Sequence, residues 1–359
     1  MRVVQLLPEL NEGGVERGVI EINKEFLKMG IESFVISNGG KLVDKLKGAT
    51  HIKFDVSSKN PFTAFKRALK LKKILQKINP DIMHVRSRVP AWLAYFANKD
   101  LNIPFITTVH GFYSVNRYSK IMTKGDRVIC VSNSIKKYVL DNYDVDEKKL
   151  RVIYRGINLE EFNPSNVDKN FIKEFKKKHS LNDKFIVSTI GRITPLKDFE
   201  TFILAINEIK TKKPNVVGVI VGGVREDKID YVYKLKKLVK KLSLEDNIKF
   251  VGSIKKIASI YYLSDVVVST SKKPESFGRS VAEAMAMNKP VIATNHGGVV
   301  EIIRDKDKLF NVGDYKELAN KILYTKEGNF REYIKNNFSL EKMAKETVEV
   351  YREVLKLKD

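Results

Sequence analysis

Short apolar runs rich in valine and isoleucine recur along the chain, separated by longer segments with helical periodicity. Such runs are typical of parallel strands that are buried on both faces. The pattern predicts strands at residues 3–7, 33–36, 52–54, 81–85, 105–109, 127–131 and 152–154, and then at 185–190, 216–221, 248–250, 266–269, 291–294 and 309–310. Strands that alternate with helices predict an α/β protein with two doubly wound domains.

The periodicity is interrupted at Asn163-Pro164-Ser165-Asn166, a run of turn-forming residues. We therefore expect an N-terminal domain of residues 1–165 and a second domain of residues 166–338. Ser339 opens a long amphipathic segment, which predicts a C-terminal helix over 339–359 that packs back on the first domain. Doubly wound sheets bind ligands beyond the carboxyl ends of their strands, so two facing sheets would form a cleft.

The composition is that of a globular protein of two domains, with 359 residues, 43% apolar and 30% charged. The single cysteine, Cys130, lies in an apolar run, and we expect it in the core. The longest apolar run, Val216 to Val224, is too short to span a membrane. The first residues form a strand pattern and not a signal peptide. These features predict a cytoplasmic protein.

The net charge of +23 is spread over both halves of the chain. Such a charge attracts anionic partners, which include membrane surfaces, nucleic acids and phosphorylated substrates. Residues 61–78 predict a basic amphipathic helix, and helices of this kind can lie on anionic lipid. An ordinary helix with a solvated cationic face explains this segment equally well, and part of the charge excess can be compositional.

The segment from Glu275 to Glu283 places one carboxylate before a glycine turn and a second inside a helix. We expect Ser280 to be the N-cap of that helix, with Glu283 completing a capping box. A helix that opens at Phe277-Gly278 offers free backbone N–H groups to an anion. The two carboxylates could then bind hydroxyl groups of a sugar and a ribose. In the alternative interpretation, Glu283 only caps its helix and Glu275 is a solvated loop acid.

Two cations, Arg192 and Lys197, lie on the loop that leaves the predicted strand at 185–190. A departing nucleoside diphosphate gains negative charge, which a guanidinium and an ammonium can stabilise without a metal. The alternative is a pair of solvated loop cations. His296-Gly297-Gly298 follows the strand at 291–294 and could cover the diphosphate.

In the first half, Gly13 and Gly14 precede a predicted helix and would let a ligand approach the backbone closely. They form neither a dinucleotide fingerprint nor a P-loop, and a plain tight turn is the alternative. His110 follows the strand at 105–109 and could donate to a sugar hydroxyl or make a structural hydrogen bond. His84 lies inside a strand and is expected to be a satisfied core residue. Asp144-Val145-Asp146 is interpreted as a solvated turn and not as a metal site.

In this order, the motifs resemble those of the family 4 retaining glycosyltransferases, whose GT-B fold has two Rossmann-like domains facing across a cleft. The segment from Glu275 to Glu283 resembles the E-x7-E motif of that family. The other resembling stretches are Gly13-Gly14-Val15-Glu16, His110-Gly111, Arg155-Gly156-Ile157-Asn158, Gly191-Arg192 with Lys197, and Gly297-Gly298. The chain has Arg155 where the family often has asparagine and Asp198 where it often has glycine, which puts fine specificity in doubt.

By motif position, the resemblance implies a role for each of these residues. The donor site would comprise Glu275 at the sugar, Glu283 at the ribose, and Arg192 and Lys197 at the diphosphate, with Gly14, Phe277 and Gly278 near the donor. His110 would contact the sugar, and Glu275, His110, Arg192 and Lys197 would be the catalytic set. Gly13, Arg86, Arg88 and Tyr113 would lie on the acceptor side. The stretches 86–92 and 110–113 most resemble lipopolysaccharide-core and cell-envelope enzymes.

The resemblance thus implies retaining transfer of a sugar from a nucleotide-diphosphate sugar to a lipid-linked or envelope glycan acceptor. No metal or other cofactor is expected. The enzyme would be peripheral on the inner face of the cell membrane and would not bind nucleic acid. The alternatives are a GT-B nucleotide-sugar epimerase and a basic nucleic-acid-binding protein; the latter is indicated by charge alone, without a recognisable reading motif.

Overall fold

The computed structural model describes residues 1–11 and 13–357. The chain divides into two compact units. The first comprises residues 1–156 and resumes at residue 340, and the second comprises residues 157–339. The predicted divisions lay near residues 165 and 338, and the last two residues of the predicted helix at 339–359 fall outside the described residues.

The first unit is built on a parallel sheet. Its strands are β1 (Arg2–Leu6), β2 (Glu32–Ser37), β3 (Thr50–Lys53), β4 (Ile82–Val85), β5 (Phe105–Val109), β6 (Arg127–Cys130) and β7 (Leu150–Val152). They lie in the order β3-β2-β1-β4-β5-β6-β7, and every pairing is parallel. The helices between them are α1 (Gly14–Lys28), α2 (Pro61–Ile78), α3 (Arg88–Ala97) and α4 (Asn133–Asn142).

Both faces of this sheet are covered. Successive strand residues point to opposite faces, and Val4 and Met83 belong to one apolar cluster whereas Val3 and Ile82 belong to another. Sheets of this kind need apolar side chains at nearly every strand position, which explains the uninterrupted runs in the sequence. Cys130 is fully buried on β6, as predicted.

The second unit repeats the arrangement. Its strands are β8 (Phe185–Ile190), β9 (Val216–Val221), β10 (Ile248–Gly252), β11 (Val266–Ser269), β12 (Val291–Thr294) and β13 (Leu309–Phe310). They lie in the order β10-β9-β8-β11-β12-β13, all parallel. The helices that follow α4 in the chain are α5 (Lys169–Lys178), α6 (Phe199–Lys212), α7 (Ile229–Lys241), α8 (Ile257–Leu263), α9 (Arg279–Ala286), α10 (Val299–Ile302), α11 (Tyr315–Tyr324), α12 (Arg331–Phe338) and α13 (Leu340–Lys356).

The last helix, α13, returns to the first unit. Its buried face, which includes Ala344 and Val348, shares an apolar cluster with Ile22 and Phe26 of α1. The ring of Tyr351 lies 5.7 Å from the ring of Phe26 and is fully buried.

The predicted α/β architecture of two doubly wound domains is confirmed, and every predicted strand has a counterpart. The largest shift is at β7, which begins at Leu150 and not at Val152. β7 is an edge strand that pairs only with β6, so its ends are determined by that one pairing, in which Val128 faces Leu150.

Candidate functional site

Each sheet has a point at which the strand order reverses direction. In the first unit β1 lies between β2 and β4, and in the second unit β8 lies between β9 and β11. Doubly wound sheets bind ligands beyond the carboxyl ends of the strands at such a point. Most of the predicted site residues lie on the loops that leave β1, β4, β8 and β11, or on the loop after β5.

In the second unit, the structure brings two of the predicted residues into contact. Lys197 follows β8 and Glu275 follows β11, and the Lys197 ammonium donates to Oε1 of Glu275 at 2.7 Å. The hydroxyl of Ser271 donates to the same oxygen at 2.7 Å, and that of Ser269 lies 3.3 Å away. Glu275 is therefore held by one cation and two hydroxyls, not free in a solvated loop.

These contacts keep the Glu275 carboxylate charged. Burial alone would raise its pKa, but the charge of Lys197 and the hydrogen bonds from Lys197, Ser271 and Ser269 outweigh burial and hold the pKa below its usual value. A carboxylate with several donors on one oxygen has its other oxygen available for a ligand hydroxyl.

The backbone of the Glu275 loop packs directly on the paired glycines that follow β12. The amide of Gly298 donates to the carbonyl of Glu275 at 2.7 Å, and Gly297 forms a bridge with Glu275. A Cβ on Gly298 would lie 2.6 Å from the Cα of Phe277, and one on Gly297 would lie 2.6 Å from the carbonyl oxygen of Glu275. These glycines are required by the close approach of two loops.

The predicted capping box at α9 is wrong. The N-cap is Gly278, which has a left-handed φ of 100°, and the helix begins at Arg279, so Ser280 is already inside it. Because Glu283 is then too far along the helix to cap it, its carboxylate accepts from Nε of Arg279 at 2.7 Å and from the hydroxyl of Tyr261 at 3.0 Å. Glu283 is buried and oriented by these two partners.

The remaining predicted donor residues differ in exposure. Arg192 is exposed, and among the described residues no group bonds to its guanidinium. Phe277 is buried, with its ring 5.7 Å from the ring of Phe338, so it supports the loop. His296 donates from Nε2 to the carbonyl of Ser271 at 2.7 Å and so braces the Glu275 loop from the β12 side.

In the first unit, His110 follows β5 and is held on two sides. Its backbone N–H donates to the hydroxyl of Tyr113 at 3.2 Å, and its Nδ1 accepts from Nη1 of Arg155 at 3.2 Å. An arginine only donates, so the ring hydrogen must be on Nε2. Burial, and then the charges of Arg155 and Arg86, hold the pKa of His110 well below its usual value, so the ring is neutral.

The paired glycines after β1 lie at the start of a helix, as predicted. The helix α1 begins at Gly14, and Gly13 is its N-cap. A Cβ on Gly14 would meet no atom of the described residues within 4 Å, so their packing does not explain this glycine. The Gly14 carbonyl accepts from Nη2 of Arg155. A Cβ on Gly18 would lie 2.5 Å from that guanidinium, so Gly18 makes the room for Arg155.

Two of the residues expected on the acceptor side have different surroundings. Arg86 is only 7% exposed, and its Nη2 donates to Oε1 of Gln5 at 2.6 Å. Arg88 is half-buried, with its guanidinium 4.8 Å from the ring centre of Tyr113 and 5.5 Å from that of Tyr118. Arg88 is thus positioned by cation–π contacts next to the His110 loop.

His84 is the satisfied core residue that the sequence predicts. It is fully buried, with Nδ1 2.5 Å from the hydroxyl of Tyr351 and Nε2 2.6 Å from that of Thr108. Burial and the charge of Arg86 hold its pKa well below the usual value. The Asp144 to Asp146 turn is exposed, and the Asp146 carboxylate accepts from the Lys148 amide at 2.9 Å.

Sequence reasoning missed several residues that orient the predicted ones, namely Ser269, Ser271, Tyr261, Arg279 and Gln5. The serines had a signal, since they end or follow a predicted strand at its carboxyl end. Tyr261 lies among apolar residues of α8, and nothing in its local pattern distinguishes it from a core residue.

A separate feature of the first unit is an exposed apolar stripe on α2. Phe62 is 91% exposed, Phe65 73% and Leu69 47%, whereas Leu71 and Leu75 form the buried face of the same helix. Exposed lysines lie on the helix beside the stripe at Lys66, Lys70, Lys73 and Lys77. Among the described residues, no helix has the length and apolar character needed to cross a membrane.

Comparisons with known proteins give matches along nearly the whole chain. A family model described as Glycosyltransferase Family 4 matches residues 12–161, and one described as Glycosyl transferases group 1 matches residues 171–340. A solved glycosyltransferase from Rickettsia africae is 36% identical, with coverage of 99% of this chain and 98% of that chain and a TM-score of 0.88.

Two further proteins extend the comparison. The uncharacterized glycosyltransferase MJ1607 of Methanocaldococcus jannaschii is 29% identical over 76% of this chain and 75% of its own length. HepE from Anabaena, solved with UDP-glucose, is 20% identical, with a TM-score of 0.84 and coverage of 98% of this chain and 100% of that chain. At that identity HepE shows a shared fold.

Proposed function

The chain belongs to the glycosyltransferases of the family 4 type with the GT-B fold, and we propose that it transfers a sugar from a nucleotide-diphosphate sugar to a lipid-linked or envelope glycan acceptor. Transfer proceeds with retention at the anomeric carbon and without a metal ion. The comparisons do not favour an epimerase or a nucleic-acid-binding protein.

The main support for this proposal is the contact between Lys197 and Glu275. The ammonium of Lys197 has three hydrogens and uses one on Glu275, so it can also donate to a phosphate oxygen. Arg192, on the same loop, presents an exposed guanidinium with the geometry that phosphate oxygens prefer. Both cations stabilise the diphosphate as it departs, and each such donor contributes about 3 kcal/mol to lowering the barrier.

The two carboxylates take different parts of the donor. Glu275, kept ionised by its neighbours, accepts from hydroxyls of the donor sugar. Glu283, oriented by Tyr261 and Arg279, accepts from the hydroxyls of the ribose. The UDP-glucose found with HepE supports a nucleotide sugar as donor.

The acceptor role belongs to the first unit in this proposal. Gly14, with Gly13 before it as the N-cap, leaves the start of α1 open to a ligand. Arg88 and Tyr113 follow the neighbouring strands β4 and β5 in the chain, and the Arg88 guanidinium stacks over the Tyr113 ring. Arg86, which is 7% exposed, supports this region from the interior.

The stripe on α2 supports a peripheral position on an anionic membrane. If α2 were an ordinary helix of the fold, its large apolar residues would face the sheet, but Phe62, Phe65 and Leu69 face solvent. Apolar side chains flanked by lysines match an anionic bilayer, where each cation near the surface contributes about 1 kcal/mol. A surface of this chemistry would bring the enzyme to a lipid-linked acceptor.

A donor-hydrolysis screen over nucleotide sugars tests the transfer reaction. We expect slow release of nucleoside diphosphate from one preferred donor, unchanged by EDTA, and an α-configured product from an α-configured donor by NMR. Loss of activity in EDTA that manganese restores would contradict metal independence. An epimerised nucleotide sugar, formed without any acceptor, would contradict transfer.

Vesicle sedimentation tests the membrane proposal separately. The native chain should sediment with vesicles containing anionic lipid and not with neutral ones, and Phe62→Ser/Phe65→Ser should reduce the bound fraction about tenfold or more, since each phenylalanine buries a large apolar area. Tyr324→Ser removes an aromatic side chain that is 72% exposed in the second unit and serves as the control. Equal losses in both variants, or equal binding to neutral vesicles, would contradict the proposed surface.

A further inference from the structure

We propose that the first unit binds one small monovalent anion of the halide type, such as chloride, in a small cavity at the carboxyl ends of β4 and β5. The cavity has a volume of about 20 Å³. Its polar lining comprises His84, Arg86, Thr108, His110 and Arg155, and α1 and α13 close it with Ile22 and Met343.

Among the described residues, three buried nitrogen atoms in this region have no hydrogen-bond partner: Nε of Arg86 and Nε2 of His110, whose residues line the cavity, and Nε2 of Gln5, which bonds to Arg86. All three are donors. Arginine has no acceptor atom, His110 carries its ring hydrogen on Nε2 because Nδ1 accepts from Arg155, and the Gln5 amide is oriented by accepting from Arg86 through its oxygen. Unpaired buried donors are rare and costly, so a group that accepts hydrogen bonds is expected beside them.

The charge at the cavity favours an anion. Among the described residues, no carboxylate contacts Arg86, whose only side-chain partner is the neutral Gln5. The guanidinium of Arg155 lines the same cavity. The histidines there are neutral, because burial and the neighbouring arginines lower the pKa of both. A buried cation without an opposite charge is strongly destabilising, and a bound anion removes that penalty.

The size of the cavity selects among anions. A cavity of about 20 Å³ has room for one water molecule or one ion of similar size, and not for a phosphate or a carboxylate group. Water is the competing occupant. A water molecule accepts two hydrogen bonds and must donate two others, whereas the unpaired groups here are all donors, and a halide only accepts.

The first experiment uses the native protein. Crystals grown or soaked in sodium bromide and measured at the bromine absorption edge should show an anomalous peak in the cavity within hydrogen-bonding distance of Nε of Arg86 and Nε2 of His110. A cavity that holds water with no anomalous signal overturns the proposal.

The second experiment measures thermal unfolding in sodium chloride and in sodium gluconate at equal ionic strength. We expect chloride to raise the melting temperature by about 3 to 6 °C at about ten times its dissociation constant, and further in proportion to the logarithm of its concentration. Arg86→Gln, which removes the charge, should abolish the difference between the two salts. Arg352→Gln removes an exposed arginine from the same unit and should keep it.

The outcomes separate a specific site from the general effect of salt on a basic protein. A difference between chloride and gluconate that persists in Arg86→Gln overturns the proposal. If Arg86→Gln does not fold, the bromide crystals of the native protein decide.

Discussion

The two units have the same sheet topology at the point where the strand order reverses, but the polar side chains there differ in their bonding partners. In the second unit, Glu275 is paired with Lys197 and bonded by Ser271. In the first unit, Arg86 and His110 have buried donor atoms that no described residue bonds to. The shared topology positions the loops, and the side chains on and around the loops determine the chemistry. The second unit thus has an ion pair at this point, and the first unit has a buried arginine that bonds to a neutral glutamine.

The largest expected effect comes from breaking the ion pair. Lys197→Ala removes the cation next to Glu275 and the proposed diphosphate contact, so kcat/KM for the preferred donor should fall by about 10²- to 10³-fold. Steady-state kinetics of donor turnover measure this loss, and circular dichroism checks that the fold is kept.

Lys184→Ala, an exposed lysine just before β8, is the matched control and should leave kcat/KM unchanged. Equal activity in the native protein and Lys197→Ala would show that the ion pair is only structural, and the comparison between the units would then lose its functional meaning.

The second prediction compares the glycines of the two regions. Gly298→Ala should destabilise the second unit by about 2 to 4 kcal/mol and reduce activity, because its Cβ would lie 2.6 Å from the Phe277 backbone. Gly14→Ala should leave the free energy of unfolding within about 1 kcal/mol of the native value and raise KM, because its Cβ would lie in open space, at least 4 Å from every described residue apart from its immediate neighbours in the chain. Urea unfolding and steady-state kinetics measure the two effects.

This contrast depends on why each position is a glycine: close packing of two loops at Gly298, and the proposed approach of a ligand at Gly14. A Gly14→Ala variant with unchanged KM would contradict the proposal that a ligand approaches the start of α1. A Gly298→Ala variant as stable as the native protein would mean that the Glu275 loop can move away from Gly298 at little cost.

The third prediction concerns acid. The pKa of buried His84 is well below its usual value of about 6.5, so below that pH the unfolded chain binds a proton that the folded chain does not. The free energy of unfolding of the first unit should therefore fall by about 1.4 kcal/mol per pH unit for this histidine, until the pH reaches its folded pKa. The pKa of Glu275 is lowered, so its contribution is present above about pH 4.3 and is lost only as the pH falls through the folded value.

Between pH 7.5 and pH 5, the first unit should thus lose stability before the second. Hydrogen exchange, corrected for its intrinsic pH dependence, should show earlier loss of protection in β4 and β5 than in β8 and β11. His84→Gln should reduce the pH dependence of the first unit. Parallel losses in both units would contradict this account of the difference between them.

The fold could be predicted almost completely from the sequence, because parallel strands buried on both faces need apolar runs that no other element produces at that length. β5, β8, β9, β11, β12 and β13 have the predicted ends. The edge strand β7 was shifted, because its pairing with β6 places Leu150 opposite Val128 and so includes residues before the apolar run at 152–154.

The site could be predicted only where a residue follows a strand at its carboxyl end, as Lys197, Glu275 and His110 do. The partners that orient them come from other elements, so their spacing in the chain carries no signal. Glu283 shows the limit: the pattern Ser280 to Glu283 fits a capping box, but Gly278 takes the left-handed cap position and Glu283 turns to Tyr261. The position of the Glu283 carboxylate is therefore determined by its contact with Tyr261 and not by the local capping motif.

The smallest predicted effect concerns the hydroxyl that helps to keep Glu275 charged. Ser271→Ala removes a hydrogen bond of 2.7 Å from Oε1 but leaves the Lys197 contact in place, so kcat/KM should fall only about tenfold. Because that hydrogen bond lowers the pKa of Glu275, its loss should raise the pKa and move the acidic limb of the pH profile of kcat/KM to higher pH. Ser269→Ala, whose hydroxyl lies 3.3 Å from the same oxygen, should shift the limb less. An unshifted limb in Ser271→Ala would mean that this serine supports the loop without tuning the carboxylate, and that Lys197 and Ser269 keep Glu275 ionised without it.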